Sequence, residues 1–174
     1  MRYSAVWSIS ILSVLPLSGL VVSEEAVRTT VLSQRSLEQL ASEANLIVRG
    51  RIAEVRTESP AGYGEMVTVA VLAVEEQWKG RRLKQVLVQH PGGSKDGLTQ
   101  QVTGFPEFTV GEEVLLFLKS QKKGRYTTVG GKQGKLAVQR EAETGKRLVE
   151  DLTGEKEDLQ SFVRRLRKIL RAEP

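Results

Sequence analysis

The sequence has no cysteine and a single histidine, and aromatic residues make up only 5% of its 174 positions. Without sulfur of that kind there is no thiol nucleophile, zinc-thiolate knot, Cys-held cluster, disulfide framework or Cys lipid anchor. The one imidazole, His90, would need carboxylates to complete any metal site. The shortage of aromatics also leaves few rings on which nucleic-acid bases could stack.

What is present is the composition of a folded chain. Hydrophobic residues make up 40%, and exchanging the three Tyr for the sixteen Gly gives about 48%, within the globular range. Lys and Arg number 26 against 21 Asp and Glu, a net charge of +5.

Met1-Arg2-Tyr3 is a short cationic start, followed by Ala5 to Val22, 18 residues without charge but with four Ser, Pro16 and Gly19. That polarity and those helix breakers suit a secretory signal better than a membrane span. The expectation is a signal peptide over residues 1–23, cut after Ser23, with an uncleaved anchor as the alternative. The folded part is then expected outside the cytoplasm, periplasmic or secreted, with no membrane span left after cleavage. Residues 24–174 are long enough to bury a core without disulfides or metal.

Ser36 and Gln39 form a capping-box pattern ahead of Leu37, Leu40 and Ala44, which predicts a helix from Leu37 to about Ala44. Leu46 to Ile52 alternates, with Val48, Gly50 and Ile52 on one face and Arg49 and Arg51 on the other. Val55 falls out of phase, so a bulge is expected near Ala53. A turn with Pro60, Gly62 and Gly64 leads to a strand from Met66 to about Gln77 that is apolar on both faces. Further strands are expected over Gln85–Gln89, Glu112–Lys119, Arg125–Val129, Lys135–Gln139 and Arg147–Asp151. Pro91 to Phe108, with Gly92, Gly93, Gly97, Gly104 and Pro106, is read as one long irregular loop, a common place for binding.

Leu159, Phe162, Val163, Leu166, Ile169 and Leu170 recur at helical steps among five bases, predicting an amphipathic helix over 154–171, capped near Thr153. Glu155, Glu157 and Asp158 would occupy its first turn. Its apolar face is expected to cover the second face of the long strand; lying on a membrane surface is the alternative. The fold expected is mainly β with a helix at each end, a single domain forming a small curled antiparallel barrel, OB-like.

Ala41 to Val55 (ASEANLIVRGRIAEV), Val74 to Gly80 (VEEQWKG) and Phe108 to Leu118 (FTVGEEVLLFL) together resemble a family of exported bacterial proteins of unknown function. The likeness extends to His90–Gly93 (HPGG) and Val129–Val138 (VGGKQGKLAV). More distantly, the order of these motifs is similar to netrin-like modules and tissue inhibitors of metalloproteinases, OB barrels with a packed helix. That resemblance implies a barrel and a secreted protease as one conceivable partner. Those inhibitors ligate zinc through an N-terminal Cys and are held by disulfides, and this chain has neither.

Several groupings invite chemistry. His90 stands at a strand end with no triad partners beside it in sequence. Gly130-Gly131-Lys132-Gln133-Gly134-Lys135 resembles a phosphate loop but is one residue short, has Leu136 where Ser or Thr should hold magnesium, and leads into a strand. Turn chemistry is therefore expected there. Glu75-Glu76 and Glu112-Glu113 are adjacent on strands and are expected to face opposite ways. Lys119, Lys122, Lys123, Arg125, Lys132 and Lys135 gather around hairpin turns with only Tyr126 among them, so an anionic lipid or polymer suits them better than nucleic acid.

The reading that follows is an exported, non-enzymatic binding module without cofactor or metal, engaging a protein or an envelope component. Its site is expected at His90, Pro91, Gly92, Gly93 and Phe105 of the long loop, with Gly130, Gly131, Lys132 and Gly134 of the neighbouring turn. The alternatives are a secreted hydrolase with a carboxylate/His90 site and a surface protein that binds anionic polymer.

Overall fold

The computed structural model describes residues 34–59, 66–151 and 153–172. The expected leader and its cleavage point, and the turn at Pro60, Gly62 and Gly64, lie outside them. Two helices, α1 (Leu37–Glu43) and α2 (Leu159–Ala172), flank a mainly β chain. Its strands are β1 (Leu46–Glu58), β2 (Val67–Lys79), β3 (Gln85–Pro91), β4 (Gly93–Lys95), β5 (Leu98–Gln100), β6 (Glu113–Ser120), β7 (Arg125–Thr128), β8 (Lys135–Arg140), β9 (Arg147–Glu150) and β10 (Lys156–Asp158).

Eight strands pair in the order β1-β2-β3-β7-β6-β8-β9-β10, and β1 also pairs with β6. The pairings β1-β2-β3-β7-β6 therefore run round a closed circuit. Every link in it is antiparallel except β3 with β7, which is parallel. β4 and β5 form a separate hairpin.

Strand parity sorts the apolar residues into two cores. Leu46, Val48 and Ile52 of β1, Ala70 and Leu72 of β2, Val86 and Val88 of β3, and Val114, Leu116 and Leu118 of β6 make one cluster inside the circuit. Leu115 and Phe117 of β6, with Leu136, Val138 and Val149 of β8 and β9, meet both helices in the other. The unbroken run Val114–Leu118 thus fills two cores with alternate side chains, every one of them buried.

α1 begins as its sequence predicts: Ser36 Oγ accepts from the Gln39 amide, and Gln39 Oε1 accepts from the Ser36 amide. α2 begins later than predicted, at Leu159 rather than 154. Residues 156–158 extend the sheet instead, pairing with Glu150, Val149 and Leu148. Asp158, not Thr153, caps the helix by accepting from the Ser161 amide at 2.9 Å, and that bond holds its carboxyl below the usual range. Glu155, Glu157 and Asp158 accordingly precede the first turn. α2 covers Leu115, Phe117, Leu136 and Val149, not the outer face of β2 at Val69 and Val71, which belongs to neither cluster.

The register of β1 on β2 shifts three times. One shift skips Ala53, where a bulge was expected, and returns Val55 to the inner cluster. Another leaves Glu75 as an extra residue between Glu76, opposite Arg49, and Val74, opposite Gly50. The expectation that Glu75 and Glu76 face opposite ways fails for this reason: a bulge breaks the alternation. Arg49 Nη1 donates to Glu75 at 2.8 Å and Nη2 to Glu76 at 3.2 Å, while Nη1 also bonds Glu113 of β6.

Arg49 is 3% exposed, although it occupies the polar face of its strand. Burial disfavours its charge, and Glu76, Glu113 and Glu75 more than offset that, raising its pKa. The cluster ties β1, β2 and β6 at the point where the bulge would otherwise loosen them. Gly50, next along, lets β2 come close, since a Cβ there would stand 2.0 Å from the Ala73 carbonyl oxygen.

Arg49 is buried and Glu113 largely so, while Glu75 and Glu76 are partly exposed, and Glu113 also has Arg51 and Arg147 beside it, so removing Arg49 costs chiefly its charge-assisted hydrogen bonds. Arg49→Met is expected to lower stability by about 2 kcal/mol, read from chemical denaturation, and adding Glu113→Leu to it should cost less than Glu113→Leu alone. Additive effects of the two substitutions would show that the cluster does not couple the strands.

Candidate functional site

The residues between β3 and β6 are not irregular throughout. Gly93–Lys95 and Leu98–Gln100 pair across Asp96-Gly97, both with positive φ (52° and 79°), the geometry of a tight two-residue hairpin turn. The Asp-Gly dipeptide is itself a sequence signal for that hairpin, so β4 and β5 were legible.

The segment from Gly92 to Glu112 is anchored along its length. At its start the Gly92 amide donates to Met66 O at 2.7 Å, and Thr68 Oγ1 donates to Gly92 O at 2.8 Å. Midway, the Lys132 amide donates to Gly104 O at 2.9 Å. At its end the Gly111 amide donates to Ile52 O and the Ile52 amide to Glu112 O, at 2.8 and 2.9 Å.

His90 sits beneath this strap, 2% exposed. Its ring stacks on Phe108 with centroids 5.5 Å apart and lies tilted against Phe105 at 5.2 Å. Lys135 Nζ lies over the other ring contact, 5.0 Å from the Phe108 centroid, and bonds both Glu112 carboxylate oxygens at 2.8 Å. Among the described residues Nε2 has no hydrogen-bond partner, and Nδ1 has Thr127 Oγ1 at 3.5 Å. Burial, reinforced by the Lys135 charge, lowers the His90 pKa to about 4. The imidazole is therefore neutral at pH 7, a flat, mostly apolar plate in contact with two phenylalanines.

The structure brings the loop and the turn together. Gly131 and Lys132 meet Gly104, since Gly131 would direct a Cβ to within 2.0 Å of Gly104 O and the Lys132 amide donates to it, and the next residue, Phe105, lies against His90. Pro91 is exposed, and Gly92 and Gly93 pass close to Gln100 and Thr57 on the way into the hairpin. Gly130 faces Arg35, and Gly134 lies against Val129 and the Phe117 carbonyl, a packing position. Residues 131–134 form a short 3₁₀ turn that leads into β8, consistent with turn chemistry. An open cleft of about 430 Å³ beside it is lined by Pro106, Glu107, Lys132, Lys135, Ala137, Gln139, Glu150 and Asp151.

Sequence reasoning missed Phe108, the second ring on His90, and Leu98 at the hairpin tip. Of the bases expected around the turns, Lys135 is held by Glu112, and Arg125 by Glu58 at 2.7 Å. A hydrolase built on His90 would need the imidazole bared and a carboxylate brought to it; among the described residues neither is in place. No cluster of His, Asp and Glu able to hold a metal ion occurs among the described residues. Nor does any helix among them have the length and apolarity to cross a membrane.

No protein-family model and no curated protein matches the chain.

Two predictions follow from the geometry under the strap. His90 binds a proton less readily folded (pKa about 4) than unfolded (6.5), so the unfolded state holds more protons between those values and stability falls as pH drops from 6.5 to 4. The loss contributed by His90 is about 3 kcal/mol, and His90→Phe should flatten the pH dependence of the melting temperature in that window. Parallel pH profiles for the two proteins would refute it. Gly131→Val should destabilise by at least about 1–3 kcal/mol, through its positive φ of 62° and the collision with Gly104 O; an unchanged melting temperature would contradict the turn assignment.

Proposed function

We propose that this chain is an exported, non-enzymatic binding module that engages a partner protein through the segment 92–112. The observation that carries the reading is where the exposed apolar surface lies. Leu98 (67% exposed), Val102 (37%) and Val110 (60%) are the exposed large hydrophobic residues among those described, and all three fall on this strap. Scattered singly, such residues mean nothing; gathered on one anchored segment, they suit a partner's apolar surface. The anchoring matters as much as the display, because a segment already held in one shape loses less entropy on binding.

The closed circuit of β1, β2, β3, β7 and β6 supports a small OB-like barrel as the scaffold, with α1 and α2 packed against its outside. On this reading the barrel end formed by His90, Phe105 and Phe108 is a plug that fixes the strap. The cleft beside Lys132 would accept polar groups from the same partner. An envelope component or a co-exported protease is the class of partner to try first.

Retention of a protein from the host's envelope and secreted fractions tests this reading. The parent should retain a partner that the variant Leu98→Asp/Val102→Asp loses by tenfold or more, the two having equal melting temperatures. Equal retention by both would remove the strap as the binding surface.

A further inference from the structure

The net charge of the chain is +5, from 26 bases and 21 acids. α2 alone carries Arg164, Arg165, Arg167, Lys168 and Arg171 and no acid, so the rest of the chain balances, 21 against 21. The whole excess therefore sits on one helix. All five bases occupy exposed positions, while Leu159, Phe162, Val163 and Leu166 are buried on the opposite face against the sheet and α1.

Two of the five bases have acids beside them. Arg165 pairs with Glu157 and lies near Glu38, and Arg164 donates to Ser161 Oγ at 2.8 Å and lies near Asp158. Arg167, Lys168 and Arg171 have no ion pair among the described residues. Helix-dipole complementarity accounts for bases in the last turn, but not for five along two faces' width of a 14-residue helix.

We propose that the outward face of α2 is a docking surface for an anionic phospholipid bilayer. The attachment is electrostatic. Amphipathic helices that lie in a membrane bury their apolar face in it, and here that face is already spent on the protein core. At 1.5 Å per residue the bases from Arg164 to Arg171 cover about 11 Å of the helix, a compact outward patch able to approach a flat charged surface. Bases of nucleic acid would find nothing to stack on, because Phe162, the aromatic residue of α2, is buried with Arg165 over its ring at 5.6 Å. A bilayer is also the polyanion an exported chain meets, and to that extent the proposal rests on the export reading. It does not rest on the strap, which α2 does not use.

The test is partition of the full chain onto vesicles of phosphatidylcholine alone and of phosphatidylcholine mixed with phosphatidylglycerol. Any leader in the preparation contributes equally to every variant. The parent should bind the anionic vesicles at least tenfold more tightly at low salt and lose that preference at high salt. Each base near such a surface contributes roughly fivefold, so Arg167→Gln/Lys168→Gln/Arg171→Gln should lose tenfold or more. Arg81→Gln/Arg82→Gln, also exposed but elsewhere, should keep parental binding. Circular dichroism should show both variants folded, since no buried side chain changes. Equal binding by the α2 variant would overturn the proposal, as would an equal loss from the Arg81/Arg82 variant. So would binding of the parent to a single-stranded oligonucleotide or a sulfated polysaccharide but not to the vesicles.

Discussion

β6 is the strand on which the other elements depend. One of its edges pairs with β1 over six residues, Glu113 to Leu118; its other edge is divided between β8 at Glu113–Leu116 and β7 at Leu118–Ser120. Both faces are buried as well, Val114, Leu116 and Leu118 in the circuit's interior and Leu115 and Phe117 beneath the helices. A strand with two occupied edges and two apolar faces cannot slip register without exposing one core or the other. The closed circuit, the helical layer and the position of the turn after β7 are all set from it.

The strap inherits that rigidity. It leaves β3 after Pro91 and rejoins β6 at Glu113, with Glu112 hydrogen-bonded to Ile52 and ion-paired to Lys135. Each of its anchors belongs to an element that β6 holds, directly or through one neighbour. His90 adds a device of a different kind. A buried imidazole whose Nε2 has no hydrogen-bond partner among the described residues is costly, and the structure accepts it where Phe105 and Phe108 pack against the ring. That cost makes His90 a conditional part of the packing, sound when neutral and unfavourable when protonated.

Much of this was legible in the sequence, and the failures have identifiable causes. The capping box at Ser36 and Gln39, the alternation of Leu46–Ile52, the bulge at Ala53 and the double-faced run at Val114–Leu118 all follow from local period and chemistry. β10 did not, because Lys156–Asp158 carries helix-compatible acids, and only pairing with β9 makes it a strand. The convergence of Glu75 and Glu76 on Arg49 depended on a bulge that no single strand announces. The meeting of Gly104 with Gly131 and the stacking of Phe108 on His90 are contacts between segments distant in sequence, whereas the Asp96-Gly97 turn was plainly written and was absorbed into a longer loop.

The central claim is that the segment 92–112 is a preformed platform, fixed before any partner arrives. Amide hydrogen exchange of the free chain tests it most directly, at the Lys132 amide that donates to Gly104 O. A preformed strap predicts protection there approaching that of the β6 amides, with weakening as pH falls below 6.5 after correction for intrinsic exchange. Exchange at Lys132 as fast as that of an open loop, beside a protected β6, would mean that the strap is loose in the free protein and that its order must come from the partner.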